Sequence, residues 1–118
     1  MKIAILTSSR ADFGIYQPLI DELIFEDKFQ IEIIAFGTHL SKYHGYTIND
    51  IYNTYELNVH KIDSLIVNDN EVSTATTYGL TVLKFADFWN TNKYDFIFCL
   101  GDRFEMSAAV QALSLIHI

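Results

Sequence analysis

Three short apolar runs constrain the fold of this chain more strongly than any other feature of its sequence. They are Ile3 to Leu6, Ile31 to Phe36 and Tyr94 to Leu100. The first two lack the polar alternation of a half-exposed strand, which favours parallel strands that are covered on both faces. The third is the strongest strand signal in the chain. We therefore expect a sheet that is built from buried parallel strands.

The segment between the first two runs has a helical period. Its apolar residues recur at a spacing of three to four, and Pro18 is expected close to the helix start because proline disrupts a helix interior. The apolar positions are Ile15, Leu19, Ile20, Leu23 and Ile24. Strand, helix and strand in this order predict a right-handed βαβ unit.

Strands and helices are expected to alternate along the rest of the chain. Gly37 to Tyr55 has no period and predicts a long loop with one helical turn, followed by a weak strand from Leu57 to Ile62. A helix is predicted from a cap at Ser73 to about Trp89. Its buried stripe would include Ala75, Leu80, Leu83 and Phe88.

A further helix is predicted from Phe104 to Leu113, and a last strand from Leu115. The fold class is therefore α/β, with a Rossmann-like, doubly wound parallel sheet that binds ligands at the carboxyl ends of its strands.

The composition excludes several classes of protein. A chain of 118 residues that is half apolar and contains one proline fits one globular domain. The net charge of −7 opposes a nucleic-acid or anionic-membrane surface. The single cysteine, Cys99, excludes a disulfide framework, favours a reduced cytoplasm and is expected to pack in the core. Because the apolar runs are short, we expect neither a signal peptide nor a membrane span.

The two arginines of the chain, Arg10 and Arg103, each follow a strong strand signal. In a parallel sheet these positions lie at the binding edge, and each adjoins a helix start whose N–H groups favour an anion. The guanidinium fork suits phosphate oxygens, so a diphosphate is a reasonable ligand. The alternative is that both arginines lie on surface loops by chance.

Two nucleotide-binding motifs are absent from the sequence. It contains neither G-x-G-x-x-G nor G-x-x-x-x-G-K-[ST], which argues against a Rossmann dehydrogenase and a P-loop NTPase.

Asp102, beside Arg103, could exchange a proton with a bound sugar, although a helix N-cap is the more common role for aspartate at such a junction. Glu105 is expected to favour the helix dipole.

The histidines predict no metal site. His39 follows the second strand and is a candidate for substrate binding, although a lone histidine there usually bonds its neighbours. The other histidines, His44, His60 and His117, do not pair with cysteine or carboxylates at the spacing of metal ligands.

Four segments together resemble one enzyme family. They are Arg10 to Gly14 (Arg-Ala-Asp-Phe-Gly) within Thr7 to Pro18, Phe36 to Ser41, Gly45 to Ile51, and Leu100 to Glu105 with its Gly-Asp-Arg-Phe-Glu sequence. They are similar to the hydrolysing UDP-N-acetylglucosamine 2-epimerases that supply N-acetylmannosamine for sialic-acid synthesis. That family has two Rossmann-like domains of the glycosyltransferase-B type. The resemblance implies that residues 1–118 are a partial N-terminal domain, and that the C-terminal domain is absent.

The resemblance also implies roles for particular residues. Arg10, Ala11 and Gly14 would line the nucleotide end of the site, Arg103 would meet the diphosphate, and Asp102 would lie near the sugar. UDP would leave by elimination across C1 and C2, and water would then add to give N-acetylmannosamine. The reaction requires no NAD, metal or other cofactor, and family members are oligomers.

The end of the chain bears on whether it is active alone. The family's next motif is His-Ile-x-Gly-Gly-Glu, and the sequence reaches His117-Ile118 and stops. An acid/base residue of the family would then be missing, so we expect the fragment to be inactive by itself.

The sequence leaves three alternatives open. A related hydrolysing epimerase would act on a UDP-diacetamido-trideoxy hexose. A glycosyltransferase of the same architecture would transfer the sugar without exchanging the C2 proton. A non-catalytic, receiver-like module would need an acidic pair after the first strand, of which only Asp12 is present.

Overall fold

The computed structural model describes residues 1–64, 71–101 and 103–116, apart from the side chain at position 43. Within these ranges a parallel sheet is covered by helices on both faces. The strands are β1 (Lys2–Thr7), β2 (Gln30–Phe36), β3 (Asn58–Ile62) and β4 (Phe96–Phe98). The helices are α1 (Arg10–Glu26), α2 (Ile48–Thr54), α3 (Glu71–Thr91) and α4 (Phe104–Ile116), with short 3-10 turns at Gly37–Leu40 and Lys42–His44.

The strand order is β3-β2-β1-β4, and every neighbouring pair is parallel. Ile5 at the centre of β1 pairs with Ile33 of β2 and with Phe98 of β4. The chain runs outward from β1 to β3 and then crosses to the other side of β1 to form β4. This reversal makes a topological switch point between β1 and β4, where open α/β sheets bind ligands. The predicted α/β fold class is confirmed.

Alternate residues of β1 enter two different cores. Ala4 and Leu6 pack against α3 and α4, whereas Ile3 and Ile5 pack against α1 and α2. Both faces are therefore apolar, which explains the lack of polar alternation in the strand. Each large apolar side chain buried in this way contributes about 1.5–3 kcal/mol of transfer free energy. None of the helices in the described residues combines the length and the hydropathy that a membrane-spanning segment needs.

Helix α1 starts earlier than the sequence predicted. The Ser9 side chain accepts a hydrogen bond from the Asp12 N–H at 3.4 Å, so the helix begins at Arg10 and Pro18 lies in its interior. Pro18 and the residue four positions before it, Gly14, are both exposed, so water can bind the carbonyl that proline leaves without a helical partner. Ile15, the first residue of the predicted apolar spacing, is 66% exposed. The buried positions are Asp12, Phe13, Tyr16 and Ile20.

Helix α3 is rotated relative to the predicted stripe. Ser73 is buried within the helix and is not its cap, and Leu83 is 67% exposed. Ala75 is also exposed and Leu80 is half-buried, so of the predicted stripe only Phe88 is buried. The buried positions are Ser73, Thr77, Thr81, Phe85, Phe88 and Trp89. Hydroxyl groups can occupy this face because they find partners there: Thr81 Oγ1 donates to the Thr77 carbonyl at 2.7 Å.

Four further predictions differ from the structure. Leu115 lies in α4 and does not begin a strand, because the alanine-rich helix contains no glycine or proline that would end it. Strand β4 has only three residues of the predicted Tyr94 to Leu100 run, and Cys99 is exposed. The predicted loop from Gly37 to Tyr55 contains two 3-10 turns and α2. His117 and Ile118 lie outside the described residues.

Candidate functional site

The two arginines lie at the switch point of the sheet. Arg10 is the first residue of α1 after β1, and Arg103 directly precedes α4 after β4. The Tyr16 hydroxyl of α1 donates to the Phe98 carbonyl of β4 at 3.2 Å, so a hydrogen bond connects the helix that carries Arg10 to the strand that precedes Arg103. The side chain of Arg10 is 80% exposed, and its Nε lies 3.8 Å from the carboxylate of Asp50 in α2. An exposed pair at this distance is weak, so Arg10 is available to a ligand.

Arg103 is held by a buried carboxylate. Its Nε and Nη2 donate to the two carboxylate oxygens of Glu105 at 3.1 and 2.9 Å. The Glu105 side chain is 2% exposed, whereas that of Arg103 is 45% exposed. Hydrogen bonds to Glu105 raise the pKa of Arg103, which keeps the guanidinium charged. Among the described residues, this pairing leaves the Nη1 hydrogens for a ligand. The prediction from sequence gave Glu105 only a role at the helix dipole and did not include this contact with Arg103.

Asp12 organises the loop between β1 and α1. Its side chain is nearly buried and accepts hydrogen bonds from Thr7 Oγ1, from the Ser8 N–H at 3.1 Å and from Ser8 Oγ at 2.9 Å. These bonds fix the backbone that directly precedes Arg10. Sequence reasoning missed this role, although aspartate three residues after an N-cap serine is a common pattern at a helix start.

His39 lies beneath the same loop and is completely buried. Its Nε2 lies 2.8 Å from Thr7 Oγ1, and its Nδ1 lies 2.9 Å from Thr47 Oγ1. Burial lowers the pKa of His39, although Asp12 and the Ser9 carbonyl act in the opposite direction, so the ring is neutral at pH 7. In this structure the ring presents no exposed surface to a ligand.

Gly37 allows β2 to approach this loop closely. It has a φ of +60°, and a Cβ at this position would lie 2.8 Å from the Ser8 carbonyl oxygen. The same oxygen accepts hydrogen bonds from the N–H of Thr38 at 2.9 Å and from its hydroxyl at 3.0 Å. Only glycine fits both the left-handed conformation and the close contact.

The remaining predicted site residues are less constrained. Ala11 and Gly14 are exposed on the first turns of α1, on the same side of the sheet as Arg10. Asp102 lies outside the described residues. Within 1–64, 71–101 and 103–116, no group of three His, Cys, Asp or Glu side chains could hold a metal ion.

A solved structure shares this fold. A protein from Listeria monocytogenes, described as a UDP-N-acetylglucosamine 2-epimerase, superposes with a TM-score of 0.75 over 98% of this chain and 28% of its own. The two sequences are 14% identical, so this likeness concerns the fold alone.

Curated proteins are more similar in sequence. The chain is 32% identical to the GDP/UDP-N,N'-diacetylbacillosamine 2-epimerase (hydrolyzing) of Campylobacter jejuni. It is 31% identical to the polysialic acid biosynthesis protein P7 of Escherichia coli, and 30% identical to the UDP-N,N'-diacetylbacillosamine 2-epimerase (hydrolyzing) of Legionella pneumophila. Each alignment covers 99% of this chain but only 30–31% of the relative.

A family model gives the broadest assignment. The model described as UDP-N-acetylglucosamine 2-epimerase matches residues 21–118, and so includes most of the chain. The resemblance that the loop motifs suggested is thereby confirmed. The chain belongs to the UDP-N-acetylglucosamine 2-epimerase family.

Proposed function

We propose that this chain supplies the diphosphate-binding half of the site in a hydrolysing UDP-sugar 2-epimerase. One observation carries the proposal: Arg10 and Arg103 lie at the carboxyl ends of β1 and β4, on the two sides of the switch point. Two guanidinium groups at that edge suit the charge and geometry of a diphosphate.

The chemistry needs positive charge where the leaving group departs. A base removes the proton from C2 of the sugar, the C1–O bond breaks, and UDP leaves with the bonding electrons. Water then adds at C1, and a proton returns to C2 from the opposite face. Arg103 would stabilise the negative charge on the departing diphosphate, with Arg10 at the nucleotide end. Asp102, next to Arg103 in sequence, is the proposed base.

Ala11 and Gly14 complete the proposed nucleotide end. Both are small residues on the exposed first turns of α1, so a nucleotide could approach the helix backbone beside Arg10. His39 is part of the same site in our proposal, although its burial places it behind the surface that a ligand would touch.

The chain spans about 30% of the length of the relatives that it matches. We infer that a second Rossmann-like domain, outside residues 1–118, supplies the rest of the pocket and further acid/base groups. On this basis the 118-residue chain does not turn over substrate alone.

Two sugars are candidates for the substrate. The loop motifs resemble those of the UDP-N-acetylglucosamine 2-epimerases but do not separate the two sugars, whereas the names of the Campylobacter and Legionella relatives favour a nucleotide-linked diacetamido sugar. Both carry an acetamido group at C2 and the same UDP leaving group. Measuring kcat/KM for UDP release from each sugar, using the longest polypeptide that the parent gene encodes, assigns the substrate.

Variants of the two arginines test the proposed site. In that polypeptide we expect Arg103→Met to reduce UDP release by at least about a hundredfold, because the charge on the leaving group loses its main partner. Arg103→Lys should restore only part of the rate, because lysine lacks the fork of donors. Lys28→Met, an exposed cation just beyond α1, is the matched control and should leave the rate unchanged. A normal rate in Arg103→Met would overturn the proposal.

A further inference from the structure

A chain of side-chain hydrogen bonds connects two loops beneath the proposed site. It runs from Asp12 through Thr7 and His39 to Thr47, with His39 at its centre. Thr7 ends β1, and Thr47 directly precedes α2. Thr47 makes no side-chain cap to its own helix, so its hydroxyl serves the histidine instead.

Counting protons fixes the direction of each bond. The single hydroxyl hydrogen of Thr7 points to acceptors, namely the Asp12 carboxylate and the Ser9 carbonyl. Thr7 Oγ1 must therefore accept from His39, so Nε2 carries the ring hydrogen. In a neutral ring Nδ1 is then an acceptor, and Thr47 donates to it.

Both ends of this series of hydrogen bonds lie near Arg10. At one end, Thr7 and Asp12 fix the backbone of the β1–α1 loop that directly precedes Arg10. At the other end, Thr47 sets the start of α2, and α2 carries Asp50, which lies 3.8 Å from Arg10 Nε. The histidine thus joins the backbone of Arg10 to the carboxylate that faces its side chain.

We propose that His39 is a positioning residue of the nucleotide-sugar site, which in its neutral Nε2-protonated form ties the β1–α1 loop to α2 and so fixes the backbone from which Arg10 reaches the ligand. This role rests on the proposed function, because it assumes that Arg10 binds the nucleotide end of a UDP-sugar. His39 touches no substrate. It acts through Thr7 and Thr47, whose hydroxyls lie within hydrogen-bond distance of its two ring nitrogens.

Nuclear magnetic resonance of the ring nitrogens tests the proton count. We expect a protonated-type shift for His39 Nε2 and an unprotonated-type shift for Nδ1 at pH 7, in the longest polypeptide from the parent gene. The signals are assigned by their loss in His39→Gln. A ring protonated on Nδ1, or on both nitrogens, would overturn the proposed arrangement.

Substitutions at Thr47 test the positioning role. Thr47→Val keeps the shape but removes the hydroxyl, and we expect Kd for UDP and KM for the UDP-sugar to rise by at least about fivefold. The value of kcat should change less than twofold, because Arg10 binds substrate and transition state alike. Thr47→Ser retains the hydroxyl and should restore both constants. The control is Thr54→Val, which removes a hydroxyl that donates to the Asp50 carbonyl at 2.6 Å at the other end of α2, and should leave them unchanged.

The outcomes separate the two proposals. A wild-type protein that binds UDP, with a Thr47→Val variant that binds it equally tightly, overturns the positioning role alone. Lowered thermal stability in Thr47→Val without a change in KM has the same meaning, because it shows a purely structural contact. A wild-type protein that neither binds UDP nor releases it from either sugar overturns the proposed function, and the positioning role with it.

Discussion

Glu105 holds Arg103 by two parallel hydrogen bonds of 2.9 and 3.1 Å, and only the arginine is substantially exposed. A buried carboxylate thus fixes the direction of a guanidinium that faces solvent at the switch point. Preorganised charge of this kind stabilises a developing anion without reorganisation during the reaction. Glu105, the second residue of α4, therefore supports the proposed contact between Arg103 and the diphosphate.

Replacing Glu105 with glutamine should weaken the proposed site. An amide has one acceptor oxygen, so the bidentate pair is lost and the guanidinium is free to turn. We expect UDP release to fall at least about tenfold and the free energy of unfolding to fall by about 1–3 kcal/mol. Steady-state kinetics and urea unfolding measure the two effects. Glu56→Gln, at an exposed position, is the control, and equal behaviour of the two variants would contradict the role of Glu105.

Gly37→Ala should destabilise the protein. The left-handed backbone alone costs a non-glycine residue about 1–2 kcal/mol, and the new Cβ would meet the Ser8 carbonyl at 2.8 Å. Gly79→Ala is a matched control, since a Cβ there meets nothing within 4 Å, and this helical position should gain up to about 1 kcal/mol. Urea midpoints measure both changes. Equal midpoints for the two variants would show that Gly37 is not under this constraint.

A polar cluster surrounds Glu32 of β2. Its nearly buried carboxylate accepts hydrogen bonds from Tyr94 at 2.6 Å, His60 at 2.9 Å and Asn58 at 3.3 Å, with Lys2 Nζ at 3.8 Å. Burial alone would raise the pKa of Glu32, but the hydrogen bonds from Tyr94 and His60 and the charge of Lys2 outweigh it. The pKa therefore lies below its ordinary value.

This cluster predicts a loss of stability in acid. A carboxylate with a depressed pKa contributes fully above its unfolded pKa of about 4.3, and the contribution is lost as the pH falls through the lower folded value. We expect Glu32→Gln to cost about 1–3 kcal/mol at pH 7 and progressively less below pH ~4. Urea unfolding across this range, with the exposed Glu22→Gln as control, measures the difference. A difference that stays constant with pH would contradict this assignment.

The register of α3 is tested by a pair of alanine variants. Phe85 is fully buried between the sheet and α4, and Phe85→Ala should cost about 3–5 kcal/mol. Leu83, which the periodicity placed in the core, is 67% exposed, and Leu83→Ala should change stability by less than about 0.5 kcal/mol. Thermal or urea unfolding distinguishes them. A larger loss for Leu83→Ala would support the predicted stripe over the observed one.

Local pattern located β1, β2 and β3 well, whereas β4 is shorter than the predicted Tyr94 to Leu100 run and Leu115 lies in a helix. The β1 and β2 runs were located within one residue of their ends, because strands that are buried on both faces leave a largely apolar signal. The weaker and more exposed β3 was located equally well. The helix errors arose where one residue type was weighted too heavily. Pro18 moved the predicted start of α1 toward the C-terminus, and the buried hydroxyls of Thr77 and Thr81 hid the true face of α3.

The site was predictable where it depends on position along a strand. Arg10 and Arg103 were placed at the carboxyl ends of strands because each follows an apolar run, and in the structure they follow β1 and β4. The supporting contacts could not be found in this way. His39 lies 32 residues from its partner Thr7, and no spacing rule relates them. Contacts between side chains that are distant in sequence can be identified only from the three-dimensional structure.

The central claim is tested most directly by incubating the longest polypeptide from the parent gene with UDP-N-acetylglucosamine, and separately with the UDP-diacetamido sugar, in heavy water. Proton nuclear magnetic resonance then follows C2 of the released sugar. We predict free UDP together with an inverted sugar that carries deuterium at C2, with loss of both products in Arg103→Met. Release of UDP without deuterium at C2 would contradict elimination and epimerisation, and would indicate simple hydrolysis or transfer.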